Sequence, residues 1–141
     1  FMAGAFGIEW YFGYAHPHSD LSCEDWRSRD LMWKQSSYAL NFFRETNIPF
    51  WEMESRDEFT QDEDDYCFMK EGMAYVIYQK QGKAFSLNLQ NDSNKYKISW
   101  YNPRTGEYFK KTKKISGGKN VDVSAPPYDV GQDWVVLLRK N

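Results

Sequence analysis

The sequence predicts a mainly β chain: an antiparallel, seven-strand-like β-sandwich over residues 66–141, behind a first half dominated by one amphipathic helix. Three observations carry this. The period of the apolar residues changes from helical to two near residue 65, and turn signals then recur about every ten residues. Charge changes sign at the same place. Residues 1–65 hold 14 Asp and Glu against 5 Lys and Arg, a balance of −9, whereas residues 66–141 hold 6 against 13, a balance of +7.

The first segment, "GIEWYFGYAHPH" at 7–18, packs glycines, one carboxylate, a Trp, three aromatic neighbours and two His into a short stretch. An ordinary strand has no use for that mixture, which suits a binding surface. Residues 24–46 then carry apolar groups at helical spacing: Trp26, Trp33 and Leu40 recur every seven, with Met32, Ala39 and Phe43 beside them. Ser22 is placed as N-cap, Glu24 and Asp25 set negative charge in the first turn, and Asn47 followed by Pro49 ends the helix. The face of Trp26, Trp33, Leu40 and Phe43 is too apolar to meet water and needs a cover: the sandwich, a second copy, or a further part of the same protein. "IPFWEM" at 48–53 reads as a short buried extended segment, and the acidic run "DEDD" at 62–65 as a solvated linker lacking the spaced ligands and turn glycine of a calcium loop.

After the linker, strands are expected at 66–70, 73–79, 84–89, 95–101, 107–115, 120–124 and 134–139. "KEG", "KQGK", "NDSN", "NPRTG" and "SGGK" supply Gly, Asn or Pro where the chain must reverse. Trp100 and Trp134 fall inside strands and are expected in the core. "KKTKK" at 110–114 with Lys119 is the most basic region. Its lysines suit an acidic polymer; the plainer reading is an edge strand kept from pairing with other sheets.

Composition narrows the remaining classes. With 41% hydrophobic and 18% aromatic residues, a real core is available despite a mean hydropathy of −0.79. No apolar run approaches the ~20 residues of a membrane span, and the N-terminus lacks the basic flank and cleavage site of a signal peptide. Cys23 and Cys67 match no metal or redox spacing and are expected as free thiols. A net charge of −2 and the lack of a reading motif argue against nucleic acid. No phosphate-cradling loop and no nucleophile–base arrangement is present, and no cofactor is expected.

The motifs carry a family resemblance. "YVIYQKQGKAFSLNL", "ISWYNPRTGEY" and "APPYDVGQDWVVLLR" resemble the β-sandwich called the "putative collagen-binding domain", found behind glycoside-hydrolase-like barrels. "GIEWYFGY", "HPHSDL", "CEDWRSRDLMW" and "PFWEM" resemble the last strand, loop and helix of such a (β/α)8 barrel, of the apiosidase-like or cellulase-like group, in bacterial polysaccharide-degrading proteins. The resemblance implies three parts: a barrel remnant over 1–58, an acidic linker over 59–65 and an accessory sandwich over 66–141. It places the ring-rich stretch at the barrel face that binds sugar. There Glu9 is the candidate catalytic or sugar-orienting carboxylate, its partner carboxylate lying on strands outside this chain. Trp10, Tyr11 and Tyr14 are candidate stacking platforms, with His16 and His18 as polar contacts rather than metal ligands. Arg27 and Arg29 are expected in salt bridges on the helix. Lys110, Lys111, Lys113, Lys114 and Lys119 are the candidate acidic-polymer patch.

The expectation is therefore the C-terminal portion of a polysaccharide-acting glycoside hydrolase, inactive as it stands, with the sandwich as a structural module. Its partners are the remainder of the barrel and a polysaccharide, with self-association through the aromatic helix face. The resemblance implies a secreted, periplasmic or cell-surface location. The alternative is an independent binding module for collagen-like matrix protein or an acidic glycan.

Overall fold

A computed structural model describes residues 26–141. A 3-10 turn (Trp26–Arg29) leads into α1 (Asp30–Thr46). The helix stops at the residues the sequence marked: Asn47 adopts the left-handed conformation with φ 49°, and Pro49 cannot continue the ladder. The expected caps Ser22, Glu24 and Asp25 lie outside the described residues, as do the segment 7–18 and Cys23.

Nine strands follow: β1 (Glu54–Ser55), β2 (Asp65–Lys70), β3 (Ala74–Gln79), β4 (Phe85–Asn88), β5 (Lys95–Asn102), β6 (Glu107–Tyr108), β7 (Lys113–Ser116), β8 (Asn120–Val123) and β9 (Trp134–Lys140). Every pairing is antiparallel. Seven strands form one sheet in the order β1-β2-β3-β9-β5-β6, with β7 also on β5, and β4 pairs with β8 as a small second sheet.

Three layers result. Between the two sheets lie Tyr75, Ile77, Leu87, Tyr96, Trp134, Val136 and Leu138, all essentially fully buried, with Ile98, Trp100, Phe85 and Val121 around them. On the opposite face of the large sheet, Phe68, Val76, Tyr101, Val135 and Leu137 meet Phe42 of α1, Ile48 and Met53. Two covered faces explain why "YVIY" in β3 and "WVVLL" in β9 are continuous apolar runs rather than alternating ones. Each large side chain so buried contributes on the order of 2 kcal/mol.

Three expectations need correction. The helix meets the sheet through Phe42 and Thr46, both buried; of the expected apolar face Phe43 packs beside them, whereas Leu40 is 53% exposed, so the seven-residue repeat does not by itself define the packed side. What decides is the direction from which the sheet approaches, which periodicity within the helix does not encode. Residues 48–53 are not extended. Pro49 opens a 3-10 turn (Phe50–Glu52) that buries Ile48 and Met53 but turns Trp51 outward. The single strand at 107–115 is divided into β6 and β7, because four residues, 109–112, stand opposite only Ser99 and Trp100 of β5. This is a bulge of two extra residues, with Phe109 held by its N–H to the Trp100 carbonyl.

The acidic run is engaged rather than uniformly solvated. Asp62 pairs with Lys83 at 2.6 Å and Asp64 with Lys80 at 3.3 Å. Asp65 is buried at the start of β2, directly opposite Gln79, whose Nε2 donates to its Oδ2 at 2.9 Å.

Candidate functional site

The β5–β7 end of the large sheet faces β8 and the residues that follow it. The bulge at 109–112 opens there and makes a cleft of about 220 Å³ floored by Ile98, Trp100 and Phe109 and bordered by Lys111, Lys113 and Asp122. A space of this size suits one sugar ring or a side chain, and falls below the ~300 Å³ where drug-sized sites begin. Trp100 forms the floor edge-on to Trp134, with ring centroids 5.9 Å apart, and both are buried as the sequence predicted.

The five lysines expected as one patch are all exposed, but strand geometry divides them. Lys113 stands opposite Ile98 on the side of the cleft, while Lys114 stands opposite Lys97 on the other face of the sheet. Lys119 ends the turn into β8, its carbonyl accepting from the Leu89 N–H. Two basic residues that the sequence reading missed, Lys97 and Arg139, are directly opposite each other on β5 and β9. The alternation of β5, "KYKISWY", contains the signal for Lys97. Nothing local joins it to Lys114 and Arg139. Glu9, Trp10, Tyr11, Tyr14, His16 and His18 lie outside the described residues. Among the described residues no group of three His, Cys, Asp or Glu is placed to hold a metal.

The loop motifs form a single network. Arg104 of "NPRTG" donates to Asp129 at 3.2 Å, lies 3.5 Å from Asp133, and places its guanidinium 5.7 Å from the Trp134 ring centre. Its own turn is held by Asn102, whose Oδ1 accepts from the Arg104 backbone N–H and Nε. Tyr78 completes the cluster by donating to Asp133 at 3.1 Å. Two stretches far apart in sequence are thereby locked into one surface.

The same turn grips the helix. Gly106 has φ +76°, and a Cβ there would sit 2.6 Å from the Tyr38 ring. The Tyr101 hydroxyl donates to the Tyr38 carbonyl at 2.8 Å, Phe42 packs against the contacting rings of Tyr101 and Tyr108, and Arg139 donates to the Thr46 carbonyl at 3.0 Å, capping the helix C-terminus.

The remaining buried polar groups are structural. Burial pushes the Cys67 thiol up to about 12, which removes it as a nucleophile at neutral pH. Asp92, 4% exposed, accepts from the Gly72 N–H, from the Tyr75 and Tyr96 hydroxyls and twice from Asn94. Burial alone would raise its carboxyl, but these donors outweigh burial and hold it well below the usual carboxylate range.

None of the curated proteins matches the chain. A solved structure described as a glycoside hydrolase superposes with a TM-score of 0.67 at 13% identity, over 93% of this chain and 31% of its own. A family 5 glycoside hydrolase from Bacteroides vulgatus superposes with a TM-score of 0.62 at 16% identity, over 92% of this chain and 30% of its own. At these identities the likeness is one of fold. The chain spans less than a third of either structure's length. The family described as "Putative collagen-binding domain of a collagenase" matches residues 55–139, from β1 to the end of β9, and the chain belongs to that family.

Proposed function

We propose that this chain is the C-terminal portion of a polysaccharide-acting glycoside hydrolase, in which the sandwich is a structural module that holds the last helix of a barrel, and that the portion alone does not hydrolyse glycans. The observation that carries this reading is the helix grip. The apolar part of one face of the large sheet, together with the Gly106 turn and the Arg139 cap, is spent on α1 and the segment that follows it rather than on solvent. The fold likeness to glycoside hydrolases is consistent with it, since coverage of 93% of the chain extends well before residue 55, into the segment that carries the helix. Leu31 and Leu40 on α1 and Trp51 beyond it, each more than half exposed, are then the surface that meets the remainder of the barrel, and the surface through which the isolated chain self-associates. Glu9 and the rings and imidazoles beside it belong to the sugar-binding face of that barrel, and the whole protein works outside the cytoplasm on a polymer that cannot enter it.

The test is the reading frame upstream of Phe1, followed by expression of its whole product. A barrel-coding sequence in frame is expected, with hydrolysis of at least one polysaccharide by the whole product and none by the 141-residue chain. A frame without a barrel, or glycan hydrolysis by the 141-residue chain, overturns the proposal.

A further inference from the structure

The strand registers place three cations side by side across three adjacent strands: Lys114 on β7, Lys97 on β5 and Arg139 on β9. Lys95, two residues from Lys97, adds a fourth on the same face. All four are exposed, and among the described residues none of them is in an ion pair. By contrast Lys34, Lys70, Lys80 and Lys83 each have a carboxylate partner. Like charges directly opposite one another destabilise a sheet. Edge protection accounts for Lys114, since β7 pairs only with β5, and helix capping accounts for Arg139. Neither accounts for Lys97, which sits on an interior strand between two other cations.

We propose that this ladder is a binding surface for a linear anionic polysaccharide, its carboxylate or sulfate groups seated on Lys97 and Lys114 and flanked by Lys95. The choice of a glycan over other polyanions rests on the reading of the chain as part of a polysaccharide-acting protein. It also rests on the surroundings. The hydroxyls of Ser99 and Ser116 lie on the same face for sugar hydroxyls to meet, and Tyr101, the next ring along β5 on that face, is buried against Phe42 and Tyr108 instead of being free to stack on bases. The ladder borders a cavity of about 280 Å³ between the sheet and the end of α1, lined by Lys97, Ser99 and Arg139 with Glu45. Glu45 repels an anion there, so the polymer runs along the Lys95–Lys97–Lys114 side of the ladder.

The experiment uses the 141-residue chain and measures affinity for dextran sulfate, polygalacturonate and neutral dextran at low and at physiological salt, so the result does not depend on whether a barrel is encoded upstream. Binding to a sulfated or a uronate polymer, weakened by salt, with none to neutral dextran, is expected; which polymer binds more tightly identifies the anion. The Lys97→Gln/Lys114→Gln double variant should weaken binding about tenfold. It should also raise the thermal midpoint, because repulsion is relieved. Glu45→Gln should strengthen binding. Lys34→Gln/Lys80→Gln, with the same change in net charge away from the ladder, should alter it less than about twofold. Equal losses in the two double variants, tighter binding to single-stranded DNA than to either glycan, or no retention of any anionic polymer would each overturn the proposal.

Discussion

Replacing Asp92 by Asn tests whether one buried carboxylate organises the turn between β4 and β5. The carboxylate receives five hydrogen bonds: the Gly72 N–H at 2.9 Å and the two tyrosine hydroxyls on Oδ2, and the Asn94 N–H at 3.0 Å and Nδ2 at 2.7 Å on Oδ1. An amide has one acceptor oxygen and an NH2. Whichever way it turns, one set of donors faces another donor, and the charge that strengthened all five bonds is gone. Hydrogen bonds to a charged group are worth about 1.5–3 kcal/mol each, and an unsatisfied buried donor costs about 1–3 kcal/mol. The Tyr75 and Tyr96 hydroxyls can rotate in part toward other acceptors, so the net loss is set at about 3 kcal/mol, or about 10–15 °C in melting midpoint for a chain of this size. Gly117 limits relaxation, since even a Cβ there would lie 1.8 Å from the Asp92 carbonyl oxygen. The pH dependence gives a second, independent readout. The Asp92 carboxyl is held below its unfolded value of about 3.9, so its stabilisation is complete above that pH and is lost as pH falls toward the lower folded value. Denaturant unfolding followed by circular dichroism at pH 7 and at pH 3 measures both. A variant within about 1 kcal/mol of the parent at pH 7 would refute the reasoning. So would a parent-like loss of stability on going to pH 3.

Asp65 should behave in the opposite sense. Burial pushes its carboxyl up, only partly offset by the Gln79 amide, and its Oδ1 and the Gln79 Oε1 are buried without a partner. Its contribution is therefore greatest below the unfolded carboxylate value and is lost as pH rises through the folded one. Asp65→Asn, which supplies an NH2 for the Gln79 oxygen and removes the charge, should raise stability at pH 7 by about 1 kcal/mol in urea unfolding; destabilisation there would contradict it. Gly106→Ala should cost about 2 kcal/mol and loosen α1 from the sheet, read as faster proteolytic cleavage before residue 50, because the positive φ and the Tyr38 ring both oppose a Cβ. Parent-like cleavage would mean that the turn does not hold the helix.

The local readings that succeeded depend on neighbours in sequence. β3 and β9 announce themselves by apolar runs, "NPRTG" by its Pro and Gly, and the helix stop by Asn47 and Pro49. The readings that missed depend on partners. Nothing in "EYFKKTKKI" tells that Phe109 folds toward Trp100 and divides the strand, because the bulge exists only relative to β5. The candidate surfaces divide in the same way. Lys111 and Lys113 stand out by their basic context, whereas Lys97 is joined to Lys114 and Arg139 only by the pairing of β5 with β7 and β9.

The sequence by itself determined the mainly β antiparallel class, the end of the helix, the turns and the tryptophan core positions, since these follow from side-chain period and backbone preference within a few residues. Tertiary structure alone decided which side of α1 is buried, how Arg104 reaches Asp129 and Trp134, and that Lys114, Lys97 and Arg139 form one row. Strand order and register set these, and both are fixed by long-range packing of two covered sheet faces. A one-residue slip in register would turn every one of these side chains to the other face while leaving the local sequence pattern unchanged.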